Sequence, residues 1–288
     1  MDLLKRSLIP FYAVLLAVAS VFASHDEKPA QNRNIRFGLP SPATKDIDNK
    51  EAYLIERPQF VLSYNGKKHN PNWVSWQLRK SDLGKADRGP FEPDPLLPKG
   101  FLKITTKVYA NGGFDRGHMC PSADRADSEM NNDPTFYTTN IVPQAPDCNR
   151  KTWERLEAYS RGLVASGKTL HIVCGPHGTG GLGSDGKADA IGPGKLRVNV
   201  PAKVWKVILV LSSEDAEPAK DTRTIAVVVP NEQGIDTDWS KFRVSVAEVE
   251  KMTGFTFFPS IPAEIGTAIK ADTDNVLIPP TKKKKGVN

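Results

Sequence analysis

The sequence predicts an α+β protein, a mostly antiparallel central sheet flanked by helices and long loops. Three observations carry that expectation. β-Branched and aromatic residues collect in short runs bounded by Pro, Gly and Asn. Only two segments keep a clear amphipathic helical period. Gly and Pro number 22 and 23 of the 288 residues, enough for a loop-rich chain. A composition of 39% hydrophobic and 25% charged residues excludes a disordered or fibrous protein, and three cysteines exclude a disulfide framework. The length allows one large domain or two small ones. A formal charge of +6 favours a polyanionic partner over a polycationic one.

Residues 1–23 read as a secretory signal, with a basic start at Lys5 and Arg6, an apolar run from Leu8 to Val21, and small residues up to Ala23. The run carries Pro10 and barely reaches the length that spans about 30 Å of hydrocarbon, so cleavage is expected rather than anchoring. The working protein is then secreted or periplasmic, with no membrane association after cleavage. An oxidising compartment lets cysteines pair. Cys120 and Cys148 are the expected pair, and Cys174, inside an apolar run, reads as a small buried hydrophobe.

Residues 24–44 are polar and aperiodic and are expected to form a flexible leader, with the ordered domain over 45–265. Residues 53–62 (YLIERPQFVL) and 73–78 (WVSWQL) read as strands, and Asn65-Gly66 between them is a hairpin signal. Residues 102–108 (LKITTKV) alternate as a half-buried strand should. Residues 203–211 (KVWKVILVL) and 224–229 (TIAVVV) are near-continuous apolar runs, expected as central strands. Residues 149–164 place Trp153, Leu156, Leu163 and Val164 on one helical stripe, with Asn149 in a capping position and Gly167 beyond the end. Residues 246–253 form a second helix, opened by Ser245 with Glu248 in a capping box and closed by Gly254. Residues 266–288 end in a lysine run and are expected to be a flexible basic tail.

The glycines of residues 178–183 (GTGGLG) fit a dinucleotide-binding pattern, but that pattern needs a helix immediately afterwards. Gly186, Gly192, Pro193 and Gly194 follow instead, so a surface loop is expected.

The densest polar chemistry lies between Asp115 and Arg161. On the helix, Glu157 and Arg161 are four apart and share a face, while Asn149 stands at its N-terminal end. Two oxygen donors of this kind suit a hard cation such as Mg²⁺, which keeps several waters and needs few protein ligands. The His118 imidazole can accept a proton from water near neutral pH, with Asp115 expected as its supporting partner. Taken one at a time, a lone His is usually structural and a helical Glu–Arg pair usually a solvated ion pair.

The ordered set Asp115-Arg116-Gly117-His118, then 139–144 (TNIVPQ), Asn149, Trp153, Leu156 and Glu157 closely resembles the DNA/RNA non-specific endonuclease family, whose members carry a ββα-metal finger. The similarity runs from about residue 45 to about 265 and is greatest to the secreted bacterial branch, with mitochondrial endonuclease G related. The resemblance implies His118 as general base, Asn149 as the direct ligand of a single Mg²⁺ (Mn²⁺ or another divalent ion in its place), and Glu157 holding a water of that ion. Arg161 assists nearby, and Arg88, in residues 87–91 (DRGPF), matches an upstream arginine that steadies the charged phosphorane. Asp115, Arg116 and Asn140 match residues that shape or support the site. Cys148 departs from the polar residue expected before the ligand.

The implied activity is hydrolysis of DNA and RNA, single- and double-stranded, without sequence specificity and leaving 5′-phosphates, since only phosphate and sugar need be held. Lys80, Lys85, Lys99 and Lys107 could guide the polyanion. An inhibitor protein is a possible further partner. The competing readings are a catalytically silent nucleic-acid-binding protein, a phosphodiesterase of small or lipid-linked esters, and a Cys120 thiol nucleophile acting with His118. Pro121 disturbs the regular pleat that the last of these needs.

Overall fold

The computed structural model describes residues 32–278, so the signal-sequence expectation over 1–23 and the lysine run lie outside the described residues. Thirteen strands appear among these residues in chain order: β1 (Tyr53–Glu56), β2 (Val61–Asn65), β3 (Asn70–Leu78), β4 (Asp115–His118), β5 (Ile141–Gln144), β6 (Thr169–His177), β7 (Gly181–Gly183), β8 (Gly186–Ala188), β9 (Ala190–Ile191), β10 (Val198–Asn199), β11 (Lys203–Leu211), β12 (Thr224–Pro230) and β13 (Arg243–Val244). The helices are α1 (Glu129–Asn132), α2 (Glu154–Ala165), α3 (Val246–Thr253) and α4 (Ala263–Ala271).

Seven strands make one antiparallel sheet in the order β1-β2-β3-β6-β11-β12-β13. The apolar runs at β11 and β12 sit well inside it, because both faces of these strands are covered. Side chains alternate across the sheet. Trp76, Ile172, Ile208 and Ile225 join a core with Met119, Val142, Trp153 and Leu156, under the β4–β5 hairpin and α2. Trp73, Val173, Trp205 and Val207 join a second core with Val246, Val249 and Ile269 of α3 and α4. The sheet thus forms the middle layer of an α+β fold, with the polar motif segments all on one of its faces.

Local chemistry explains most element ends. Residues 53–62 are two strands rather than one, since the chain turns back through Arg57-Pro58 and β1 pairs with β2. The Asn65-Gly66 signal falls at the β2–β3 hairpin, as expected. α3 carries the expected capping box, Ser245 with Glu248, and ends on Gly254 at φ +73°, a left-handed value that glycine adopts without strain. The glycine-rich segment makes the small β7–β8 hairpin with no helix after it.

Several expectations are corrected. Residues 102–108 form no strand; a 3₁₀ turn at Thr106–Tyr109 buries the adjacent Val108 and Tyr109. The part of the leader from residue 32 is packed. Phe37 stands edge-on to His171 at 4.6 Å, and buried Asn34 donates to the Pro58 carbonyl at 2.9 Å. The start of the expected tail is folded as well. α4 covers the second core, and Asp274 accepts from Arg223 at 2.8 Å and Arg243 at 3.2 Å. Cys120, Cys148 and Cys174 are free, buried thiols. Cys148 accepts from Gln144 at 3.8 Å and Cys174 donates to the Met119 carbonyl at 3.4 Å, so the expected Cys120–Cys148 bridge is replaced by separate contacts.

Replacing Ser245 with Ala removes the side-chain acceptor for the Glu248 amide and the hydroxyl that donates to its carboxylate. Chemical denaturation should show a loss of about 1 kcal/mol with an unchanged m-value.

Candidate active site

β4 and β5 form a short hairpin whose register pairs His118 with Ile141 and Asp115 with Gln144. The chain then enters a helix through a π-helical turn, Cys148–Trp153, before α2 begins. Asn149 is therefore not a cap, as the sequence had suggested. Its amide already donates to the Ala145 carbonyl at 2.9 Å, inside the first turn. The extra residue of a π turn re-aims side chains in this way.

Two strands and one helix thus carry the motif. Asp115 joins them. Its Oδ2 accepts from the Asn149 side-chain amide at 3.0 Å and from Arg150 Nε at 2.7 Å, and its Oδ1 accepts from Arg150 at 2.6 Å. With the NH₂ of Asn149 committed, the remaining functional atom of that side chain is the Oδ1 oxygen. The expectation that Asp115 supports His118 is corrected here: the two lie on opposite faces of the strand, and Asp115 fixes Asn149 instead. A cleft of about 360 Å³ opens beside this contact, lined by Asp115, Arg116, Asn149, Arg150, Phe91 and Tyr109 among others.

His118 occupies an aromatic enclosure. Its ring lies 5.2 Å from Phe91 and 5.0 Å from Phe136, the latter perpendicular. Arg116 stacks on Phe91 at 4.5 Å and Arg88 on Phe136 at 5.1 Å, so two guanidinium groups flank the imidazole across the rings. His118 Nε2 is buried with no hydrogen-bond partner. Burial first, then the charges of Arg88 and Arg116, push its pKa down to about 3. The imidazole is therefore neutral near pH 7, with a nitrogen lone pair available as a base. Phe91 and Phe136 went unrecognised in the sequence, since an aromatic in a Pro-rich loop carries no signal of its partner.

The third group lies deeper. Glu157 reaches Lys206 Nζ at 3.5 Å, and its carboxyl pKa is raised to about 7 by burial, against Lys206, with Asp124 adding to the rise. Arg161 donates to Asp124 at 3.2 Å and stands 3.9 Å from Glu154. Buried Asp124 also accepts from Trp76 at 3.1 Å. Asn140 plays a supporting part: fully buried, it accepts from the Cys120 amide at 2.9 Å and donates to the Cys120 and Thr135 carbonyls. The structure thus ties Asp115 to Asn149, gathers Arg88 and Arg116 around His118, and gathers Arg161 and Asp124 around Glu157. The Lys80, Lys85, Lys99 and Lys107 side chains line none of these contacts.

A hydrated hard cation fits this donor set. Asn149 Oδ1 and the Glu157 carboxylate are oxygen donors, and among the described residues no three His, Cys, Asp or Glu side chains converge into a cage. One or two protein oxygens with several waters is the coordination that Mg²⁺ tolerates and zinc does not.

Comparison with known proteins places the whole domain among nucleases. Residues 42–264 match the family model described as DNA/RNA non-specific endonuclease. A protein named Nuclease from Nostoc sp. is 41% identical over 251 residues, covering 86% of this chain and 88% of that one. The mitochondrial endonuclease G of Homo sapiens is 33% identical over 248 residues, covering 83% of this chain and 77% of that one. The crystal structure of the EndoG/EndoGI complex aligns with a TM-score of 0.66 at 28% identity, over 80% of this chain and 92% of that one.

Two outcomes follow from the local packing. A Cβ at Gly117 would lie 1.9 Å from Gln144 Oε1, so Gly117→Ala should lower stability by about 1–3 kcal/mol, read by thermal melting. In metal-free protein, an NMR titration should keep the His118 ring neutral down to pH 5. Its folded pKa is depressed below the ordinary 6.5, so the stability linked to it is complete above pH 6.5 and lost as pH falls toward 3. A midpoint at or above 6.5 would contradict the enclosure.

Proposed function

The chain belongs to the DNA/RNA non-specific endonuclease family, and from that premise we propose that it hydrolyses DNA and RNA phosphodiesters using His118 as general base and one Mg²⁺ held by Asn149. The family membership makes it a nuclease; the residue roles and the ion are the reading offered here. The observation that carries it is the Asn149 side chain, whose amide is pinned by Asp115 so that only its oxygen is free; the His118 imidazole, which has a buried nitrogen without a partner, supports the base role.

The His118 imidazole takes the proton of the attacking water, which its neutral state permits throughout the physiological range. Arg88, exposed and stacked on Phe136 beside His118, is placed to offset the charge that grows on the phosphate oxygens. The cation, when bound, neutralises charge on the phosphate and leaving oxygens and polarises its own water. Asn149 would hold it through its free Oδ1, and the Glu157 carboxylate would hold a water of the ion. Arg161 holds Asp124 and so orders the ground beneath Glu157. Asp115 keeps Asn149 aimed, and Asn140 fixes the backbone around Cys120, two residues from the base.

Non-specificity follows from chemistry confined to phosphate and sugar, and both single- and double-stranded DNA and RNA are the proposed substrates. The charge of +6 supports polyanion binding that weakens as salt rises. An inhibitor protein is a proposed partner, supported by the inhibited complex of the structural relative. The basic and apolar composition of residues 1–23 supports export, which makes the mature enzyme secreted or periplasmic with a first residue at Ser24. The proposed domain takes in the 3₁₀ turn at Arg33–Ile35 and the segment through Asp274, and so is wider at both ends than the 45–265 read from the sequence.

A plasmid-nicking assay with and without EDTA tests the reading. Chelation should stop cleavage and added Mg²⁺ restore it. Replacing His118 with Ala should cut turnover by about 100- to 10,000-fold with little change in melting temperature, while Cys120→Ser retains activity. Mass measurement of the cut ends should find 5′-phosphates. The reverse pattern in the two variants would move the chemistry to the thiol.

A further inference from the structure

Lys206 is a buried lysine, 1% exposed, in the middle of an apolar strand. Its neighbours across the sheet are Cys174 and Val227, so its side chain rises on the face beneath α2. The Nζ stands 4.2 Å from the Trp153 ring, 5.6 Å from the Trp76 ring and 3.5 Å from Glu157 Oε1. Burying an ammonium costs several kcal/mol unless partners replace its water. Here two indole faces and one carboxylate do so. Packing alone does not call for the charge, since a methionine of similar length would suit a row of Cys and Val.

The other charges nearby do not serve Glu157 in the same way. Asp124 and Glu154 oppose its charge, and Arg161 is engaged by those same two carboxylates. Lys206 is left as the cation that touches Glu157. We propose that Lys206 is a positioning residue: its ammonium, fixed between Trp153 and Trp76 on the sheet, holds Oε1 of Glu157 and leaves Oε2 for the water shell of the divalent ion. This rests on the reading of Asn149 and Glu157 given above. Glu157 comes from a helix and Lys206 from a central strand, so the rigid sheet sets where the helix presents its carboxylate.

The test is a double-mutant cycle on Mg²⁺ affinity, measured by calorimetry on substrate-free full-length protein, with oligonucleotide cleavage followed in parallel. Lys206→Met should weaken the Mg²⁺ Kd about tenfold, and Glu157→Gln should weaken it similarly. The double variant should lose nothing further, because Lys206 acts through Glu157. At fixed Mg²⁺, kcat should fall while KM for the oligonucleotide changes little. A merely structural lysine would lower the melting temperature without moving the Kd, or would add its loss to that of Glu157→Gln; either result overturns the proposal. If wild-type protein binds no Mg²⁺, or Glu157→Gln leaves its Kd unchanged, the metal reading itself fails and the proposal fails with it, a pattern distinct from a silent Lys206→Met alone. Should Lys206→Met not fold, Lys206→Gln keeps a polar side chain of similar reach but removes the charge. An unchanged Kd in that variant overturns the proposal equally.

Discussion

The arrangement depends on one constraint: α2 must seal its apolar stripe against the central sheet while delivering charged side chains into the same interface. Leu156 and Val164 meet the sheet through dry contacts, and Glu157 and Arg161 stand beside them. Such charges can be buried only when each finds a partner. Lys206 rises from the sheet to meet Glu157, and Asp124 is held between Arg161 and Trp76. The helix is consequently locked in register by charge pairing as well as by shape, and Asn149, one π turn before it, inherits that position.

A different device governs His118. It uses aromatic rings and cations where a carboxylate partner could have stood. A carboxylate would raise the affinity of the imidazole for a proton. The enclosure of Phe91 and Phe136, with Arg88 and Arg116 stacked on those rings, does the opposite and favours the neutral ring. The same two arginines present positive charge where an anionic substrate would lie. Asp115, released from any duty to His118, is free to aim Asn149. His118 and Asn149, the proposed base and ion ligand, are thereby supported by separate contacts, so that disturbing one need not disturb the other.

Much of this was legible along the chain. The β11 and β12 runs, the Asn65-Gly66 hairpin and the Ser245–Glu248 capping box announce themselves because each signal is local, made by residues a few positions apart. The site motif was legible too, since β4, β5 and the helix that bears Asn149 follow one another within 47 residues. Other features were misread for the converse reason. Alternation over 102–108 mimics a strand, but no neighbouring strand accepts it. The polar segment from residue 32 carries no periodic signal, yet Phe37 finds a slot beside His171, more than a hundred positions away. Lys206 was hidden in plain sight as one polar letter in an apolar run.

The sequence by itself determined the antiparallel α+β architecture, the family, and which residue types meet around the chemistry, because periodicity, turn chemistry and an ordered motif are properties of neighbours on one chain. Only the tertiary structure decided that Asp115 serves Asn149 rather than His118, that two phenylalanines and two arginines surround His118, and that a lysine of the central sheet faces Glu157. Those pairings join residues from about 30 to about 50 positions apart, and which of many possible partners a buried charge takes is fixed by packing of the sheet and helix, not by spacing along the chain.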